Sequence, residues 1–176
     1  MRPRTIAIAI GAPALFILTS RGDLPSPAAA PAQVPPGLKV NILRDIPYVR
    51  PADPKGARRQ TLDLYLPAGL KTKPPLVIFV HGGFWTLSDD EYRIGPAFAD
   101  ALVPNGIAVA LVRYRLAPTY THPAQAQDVA AAVAYLAREA NRHGYDAKRI
   151  FLAGHSAGAH LVALVALDPT YLGAYH

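Results

Sequence analysis

The sequence predicts an α/β fold, a mostly parallel sheet with helices on both faces, and three observations carry that prediction. From Leu76 onward, short apolar runs alternate with segments of helical periodicity, which is the order a parallel sheet requires. The run Leu76-Val77-Ile78-Phe79-Val80 follows Pro74-Pro75 and passes directly into His81-Gly82-Gly83-Phe84-Trp85. The run Ile150-Phe151-Leu152-Ala153 passes as directly into Gly154-His155-Ser156-Ala157-Gly158.

The elements follow in chain order. Met1-Arg2-Pro3-Arg4 is a basic start, and Thr5 to Ser20 is uncharged and apolar but broken by Gly11 and Pro13. It is too short for a membrane span and reads as a secretory signal, with Ala28-Ala29-Ala30 as a candidate cleavage region. Export to the periplasm or medium is favoured over an uncleaved anchor or a cytoplasmic location. Pro25, Pro27, Pro31, Pro35 and Pro36 among alanines read as an extended tether. The expected organisation is a leader over 1–30, a linker over 31–38 and a catalytic domain over 39–176.

Within that domain, strands are expected at 39–49, 60–66, 76–80, 107–113 and 150–153, the early ones forming an antiparallel edge. A helix is expected over 123–143: Pro123 suits the first turn, Val129, Val133, Leu136 and Ala140 mark its core face, and Gly144 ends it. Asp128, Glu139 and the Asp89-Asp90-Glu91 run read as solvated or helix-dipole charges. Leu161, Val162, Leu164 and Val165 mark a buried helix after Ser156.

Composition narrows the function classes. With 51% hydrophobic residues over 176 positions the chain supports one sizeable core. A net charge of +6 without a basic run interleaved with aromatics argues against nucleic-acid binding. Zero cysteines exclude disulfides and thiolate metal sites. No metal-ligand spacing, phosphate loop or dinucleotide fingerprint occurs, so no cofactor is implied.

Two motifs carry chemistry. In G-x-S-x-G after a strand and before a helix, a sharp turn holds Ser156 with its hydroxyl exposed, and Gly154 and Gly158 let strand and helix approach. Gly82-Gly83 leaves backbone N–H groups free to face a developing negative charge. The bland alternatives are a chance pattern and a plain turn. Phe84 and Trp85 either line an acyl or aryl pocket or pack the loop on the core. His81 is expected to fix the loop by hydrogen bonding, and His155 to be a packed, hydrogen-bonded side chain.

His81 to Trp85 as HGGxW, Leu62-Asp63-Leu64-Tyr65-Leu66-Pro67, Tyr114-Arg115-Leu116-Ala117-Pro118 and Gly154 through Leu161 resemble α/β-hydrolases of the esterase and lipase group. Within it the chain is similar to kynurenine formamidases (arylformamidases) and small carboxylesterases, over about residues 41–167. The resemblance implies acyl transfer on a small ester, with Ser156 as nucleophile and the N–H groups of Gly83, Phe84 and Ala157 as oxyanion donors. N-formylkynurenine is the second substrate expectation, and a catalytically silent, ligand-binding hydrolase module is the rival class.

In that family the triad acid and histidine follow the serine on later loops. Here Asp168, His160 and His176 follow it, and none suits either role. His160 lies on the serine's own helix, Asp168 at its end, and His176 is terminal. The expectation is therefore an amino-terminal part of a hydrolase, inactive in isolation, with the edge of the 150–153 strand left open and the proton-handling half supplied by another polypeptide segment.

Overall fold

A computed structural model of the chain describes residues 18–19, 37–50, 54–88 and 94–175. The leader, the tether and the Asp89-Asp90-Glu91 run, apart from 18–19 and 37–38, lie outside the described residues. The strands are β1 (Leu18–Thr19), β2 (Val40–Pro47), β3 (Thr61–Pro67), β4 (Leu76–Val80), β5 (Ala108–Val112) and β6 (Ile150–Gly154). The helices are α1 (Pro54–Ala57), α2 (Ile94–Leu102), α3 (Ala124–His143), α4 (Ala157–Leu167) and α5 (Pro169–Gly173), with a 3₁₀ turn at Val103–Asn105. From residue 39 on, the strand bounds fall within two residues of those expected.

The six strands form one mixed sheet in the order β1-β6-β4-β5-β3-β2. Strand β4 is parallel to both β5 and β6, while β3 is antiparallel to β5 and to β2. This is the central sheet of an α/β-hydrolase fold.

Alternation along the strands builds a core on each face. Leu62, Leu64, Leu76, Ile78, Val80 and Ala110 pack beneath α3 and α4 with Val129, Leu136 and Val162. Tyr65, Phe79, Val109 and Leu111 face the other way, against Phe98, Ala99 and Leu102 of α2. Helix α3 buries Val129, Leu136 and Ala140 as its periodicity requires, and Gly144 ends it at φ 82°, donating to the Ala140 carbonyl.

Two expectations are corrected. Asp128 is not solvated: it is 1% exposed, bonded to Arg115 and to Gln60. Burying a carboxylate requires such partners, and Arg115 reaches it only because the segment after β5 folds over the first turns of α3. The β6 edge is not open either. Leu18 and Thr19 pair antiparallel with Leu152 and Phe151. The register of β2 against β3 shifts between Leu43 and Ile46. Asp45, at φ 54°, marks that bulge, and its N–H donates to Asp63, which Arg113 also holds at 2.9 Å. Such a bulge blunts an edge strand.

Candidate active site

The carboxyl ends of β4 and β6 bring the two motifs together. Ser156 stands between β6 and α4 at φ 51°, ψ −118°, a conformation that costs an L residue about 1–3 kcal/mol. Close packing on both sides imposes it. A Cβ on Gly154 would lie 2.6 Å from the Gly158 carbonyl, and a Cβ on Gly158 would run into the carbonyl oxygens of Val80 and His81. Strand and helix thus approach as closely as only glycine permits. The His155 N–H donates to the Val80 carbonyl at 3.1 Å, tying the turn to β4. Ser156 is exposed, and its hydroxyl caps no N–H of α4.

The loop after β4 lies against this turn. A Cβ on Gly82 would be 2.9 Å from His155 Nδ1 and 3.1 Å from the Ser156 Cβ. Gly83, Phe84 and Trp85 follow at φ 103°, 52° and 61°. Three successive left-handed residues, two of them aromatic, are outliers that the surroundings must hold. The N–H groups of Thr86 and Leu87 both donate to the Gly83 carbonyl at 2.9 Å, and the Ala117 N–H donates to the Trp85 carbonyl at 2.9 Å. Among the described residues, the N–H groups of Gly83 and Phe84 donate to no backbone carbonyl. That of Ala157, first in α4, has no intrahelical acceptor.

His81 is buried; its Nδ1 donates to the Gly82 carbonyl at 2.7 Å, and its ring stacks on Tyr114 with centroids 4.3 Å apart. The Tyr114 hydroxyl donates to the His81 carbonyl at 3.0 Å. His155 is packed, but the expected hydrogen bond is missing at one atom: its buried Nδ1 has no partner among the described residues. Trp85 meets His160 edge to face at 5.5 Å, so His160 takes a packing role. Asp168 caps α5 by accepting from the Thr170 N–H, a structural role separate from the serine.

A cavity of about 240 Å³ opens between these parts, lined by Gly82, Gly83, Phe84, Ile94, His155 and Ser156. Ile94 carries no signal in the sequence, since its position on α2 becomes relevant only when that helix packs beside the loop. Among the described residues no group of three or more His, Cys, Asp or Glu side chains is placed to hold a metal.

Fold and site define the class: an α/β-hydrolase of esterase type. Residues 62–171 match the BD-FAE family, and the chain belongs to that family. It is 33% identical over 180 residues to the esterase LipC of Mycobacterium tuberculosis, covering 97% of this chain and 43% of that one. It is 36% identical over 124 residues to the kynurenine formamidase of Danio rerio, covering 70% and 38%. A crystal structure of esterase B from Lactobacillus rhamnosis superposes with a TM-score of 0.66 at 31% identity, covering 77% and 42%. The chain thus spans less than half the length of each of these relatives. Similarity extends across esterases of several families, and no one of them dominates.

Proposed function

We propose that this chain carries the acylating half of a serine carboxylesterase. Ser156 attacks the carbonyl of a small ester, and the N–H groups of Gly83, Phe84 and Ala157 take up the charge on the tetrahedral oxygen. The carbonyl carbon then expels the alcohol, which takes a proton as it leaves, and water releases the acid from the serine. The observation that carries this reading is the packing of the Gly82 loop against the serine turn, so close that a Cβ added to Gly82 would lie 3.1 Å from the Ser156 Cβ; it supports an oxyanion role for the neighbouring amides, which meet no backbone carbonyl among the described residues. Close packing of Gly154 and Gly158 holds the strained backbone, and a catalytic role accounts for a hydroxyl left exposed at that strained position.

A base is needed to activate the hydroxyl, because serine alone is a weak nucleophile at neutral pH. Neither His155, tucked under Gly82, nor His160, packed on Trp85, occupies that role. On this reading the base and its orienting carboxylate are supplied by a further polypeptide segment, and residues 1–176 alone are expected not to turn over esters. An amide such as N-formylkynurenine is the second substrate reading, favoured by the kynurenine formamidase similarity.

Two measurements test this. A fluorophosphonate probe should label Ser156 when a base-bearing segment completes the site and fail on the Ser156→Ala variant; labelling elsewhere overturns the nucleophile. The 176-residue chain should leave an activated short-chain ester intact. Hydrolysis by it that disappears in Ser156→Ala overturns the external base.

A further inference from the structure

A second cavity, of about 660 Å³, shares no lining residue with the one at Ser156. It opens where the exit of β2, the first turns of α3 and helix α5 converge, and its volume falls within the roughly 300–1,000 Å³ of small-molecule sites. Size alone assigns nothing. The polar groups of the wall do.

Among the described residues, the one carboxylate in that wall is Asp128, and its oxygens are fully engaged. It accepts from Gln60 Nε2 at 2.7 Å, from the Arg115 backbone N–H at 2.8 Å, and from Arg115 Nε and Nη2 at 2.9 and 2.8 Å. Arg115 turns one edge of its guanidinium to Asp128 and keeps the two N–H bonds of Nη1, which meet no acceptor among the described residues. That nitrogen is not sealed in. Among the described residues, the buried side-chain nitrogens without a partner are His143 Nε2 and His155 Nδ1. Arg50, in the same wall, is exposed and makes no hydrogen bond or ion pair among the described residues.

The wall therefore carries two guanidinium groups with unused donors and one carboxylate whose acceptor positions are filled. A cation is repelled there, and an anion is received by charge-assisted hydrogen bonds. The remaining surface is apolar, built from Val49, Ala131, Ala174 and the rings of Tyr171 and Tyr175. An inorganic anion would leave that surface uncovered.

We propose that this cavity binds a small monocarboxylate with an apolar tail, the carboxylate held by Arg115 Nη1 and Arg50 and the tail laid against Val49, Ala174 and the two tyrosines. Arg115 is preorganised for the task, because Asp128 and the Ala124 carbonyl already fix its plane, so little rotamer freedom is lost on binding. The assignment does not depend on the reaction at Ser156.

Calorimetric titration of the 176-residue chain with hexanoate, hexanamide, acetate and inorganic phosphate tests it. Hexanoate should bind at least about tenfold more tightly than hexanamide, which lacks the charge. It should exceed acetate and phosphate, which lack the tail, by at least about tenfold. Arg50→Gln should weaken hexanoate about two- to fivefold and leave hexanamide unchanged. Ala174→Phe, at an exposed position, should weaken both by filling the apolar end. Both variants should melt with the parent chain, since neither side chain makes a bond the fold depends on. Equal affinity for hexanoate and hexanamide, phosphate or acetate binding as tightly as hexanoate, no binding at all, or a hexanoate affinity that neither variant changes overturns the site.

Discussion

Arg115 grips Asp128 twice over: Nε and Nη2 lie 2.9 and 2.8 Å from the carboxylate oxygens, and the backbone N–H of the same arginine donates to that carboxylate at 2.8 Å. The pair locks the first turns of α3 to the segment leaving β5. That segment also meets the candidate oxyanion loop, through the Ala117 N–H and the Trp85 carbonyl.

Asp128→Asn should therefore destabilise the fold by about 2–4 kcal/mol, near the cost of breaking a buried pair but reduced by the exposure Arg115 retains. Urea unfolding measures it. A loss below about 0.5 kcal/mol would show the pair to be a surface ornament.

Gly158→Ala has no room. The new methyl meets the carbonyls of Val80 and His81, which belong to the sheet and its exit and cannot step aside. A loss of at least about 3 kcal/mol or insoluble protein is expected. Gly173→Ala is the control, since nothing lies within 4 Å of a Cβ there. Thermal melting should show it neutral or stabilised by up to about 1 kcal/mol.

Ser156→Gly should stabilise the chain by about 1 kcal/mol, because glycine adopts the positive φ without the clash that serine suffers. The same change should erase probe labelling. A melting point that falls instead would mean that the serine side chain contributes contacts outweighing its strain.

Burial pushes the phenols of Tyr48 and Tyr145 up from their ordinary value. Tyr48 donates to the Arg113 carbonyl at 2.8 Å and Tyr145 to that of Leu136. The unfolded chain releases these protons near pH 10, and the folded chain holds them. Their contribution is therefore complete below about pH 10 and declines as pH rises above it. The unfolding midpoint should drop there, and Tyr145→Phe should flatten the slope while costing about 1 kcal/mol at neutral pH.

The sheet and the two turns are legible in the sequence because their signals are local. Apolar runs of strand length end in glycines at both β4 and β6, and one periodic stretch ends in Gly144. What escapes a linear reading depends on residues meeting across the fold. Asp128 reads as a solvated charge until the segment after β5 brings Arg115 over it. Asp63 shows no partner until the β2 bulge turns the Asp45 N–H toward it and Arg113 reaches it from the end of β5. Nothing local announces positive φ at Phe84 or Trp85, since aromatic residues carry no such preference. Pairing of β1 with β6 joins segments at opposite ends of the described chain, and only topology reveals it.

The chain contains one tryptophan, and it is Trp85. Its indole stands on the loop that faces Ser156, with an imidazole at its side. Indole emission therefore reports on that loop and on nothing else in the molecule. Ligand arrival, loop displacement or docking of a further polypeptide segment can each be followed optically in the unlabelled protein, in real time.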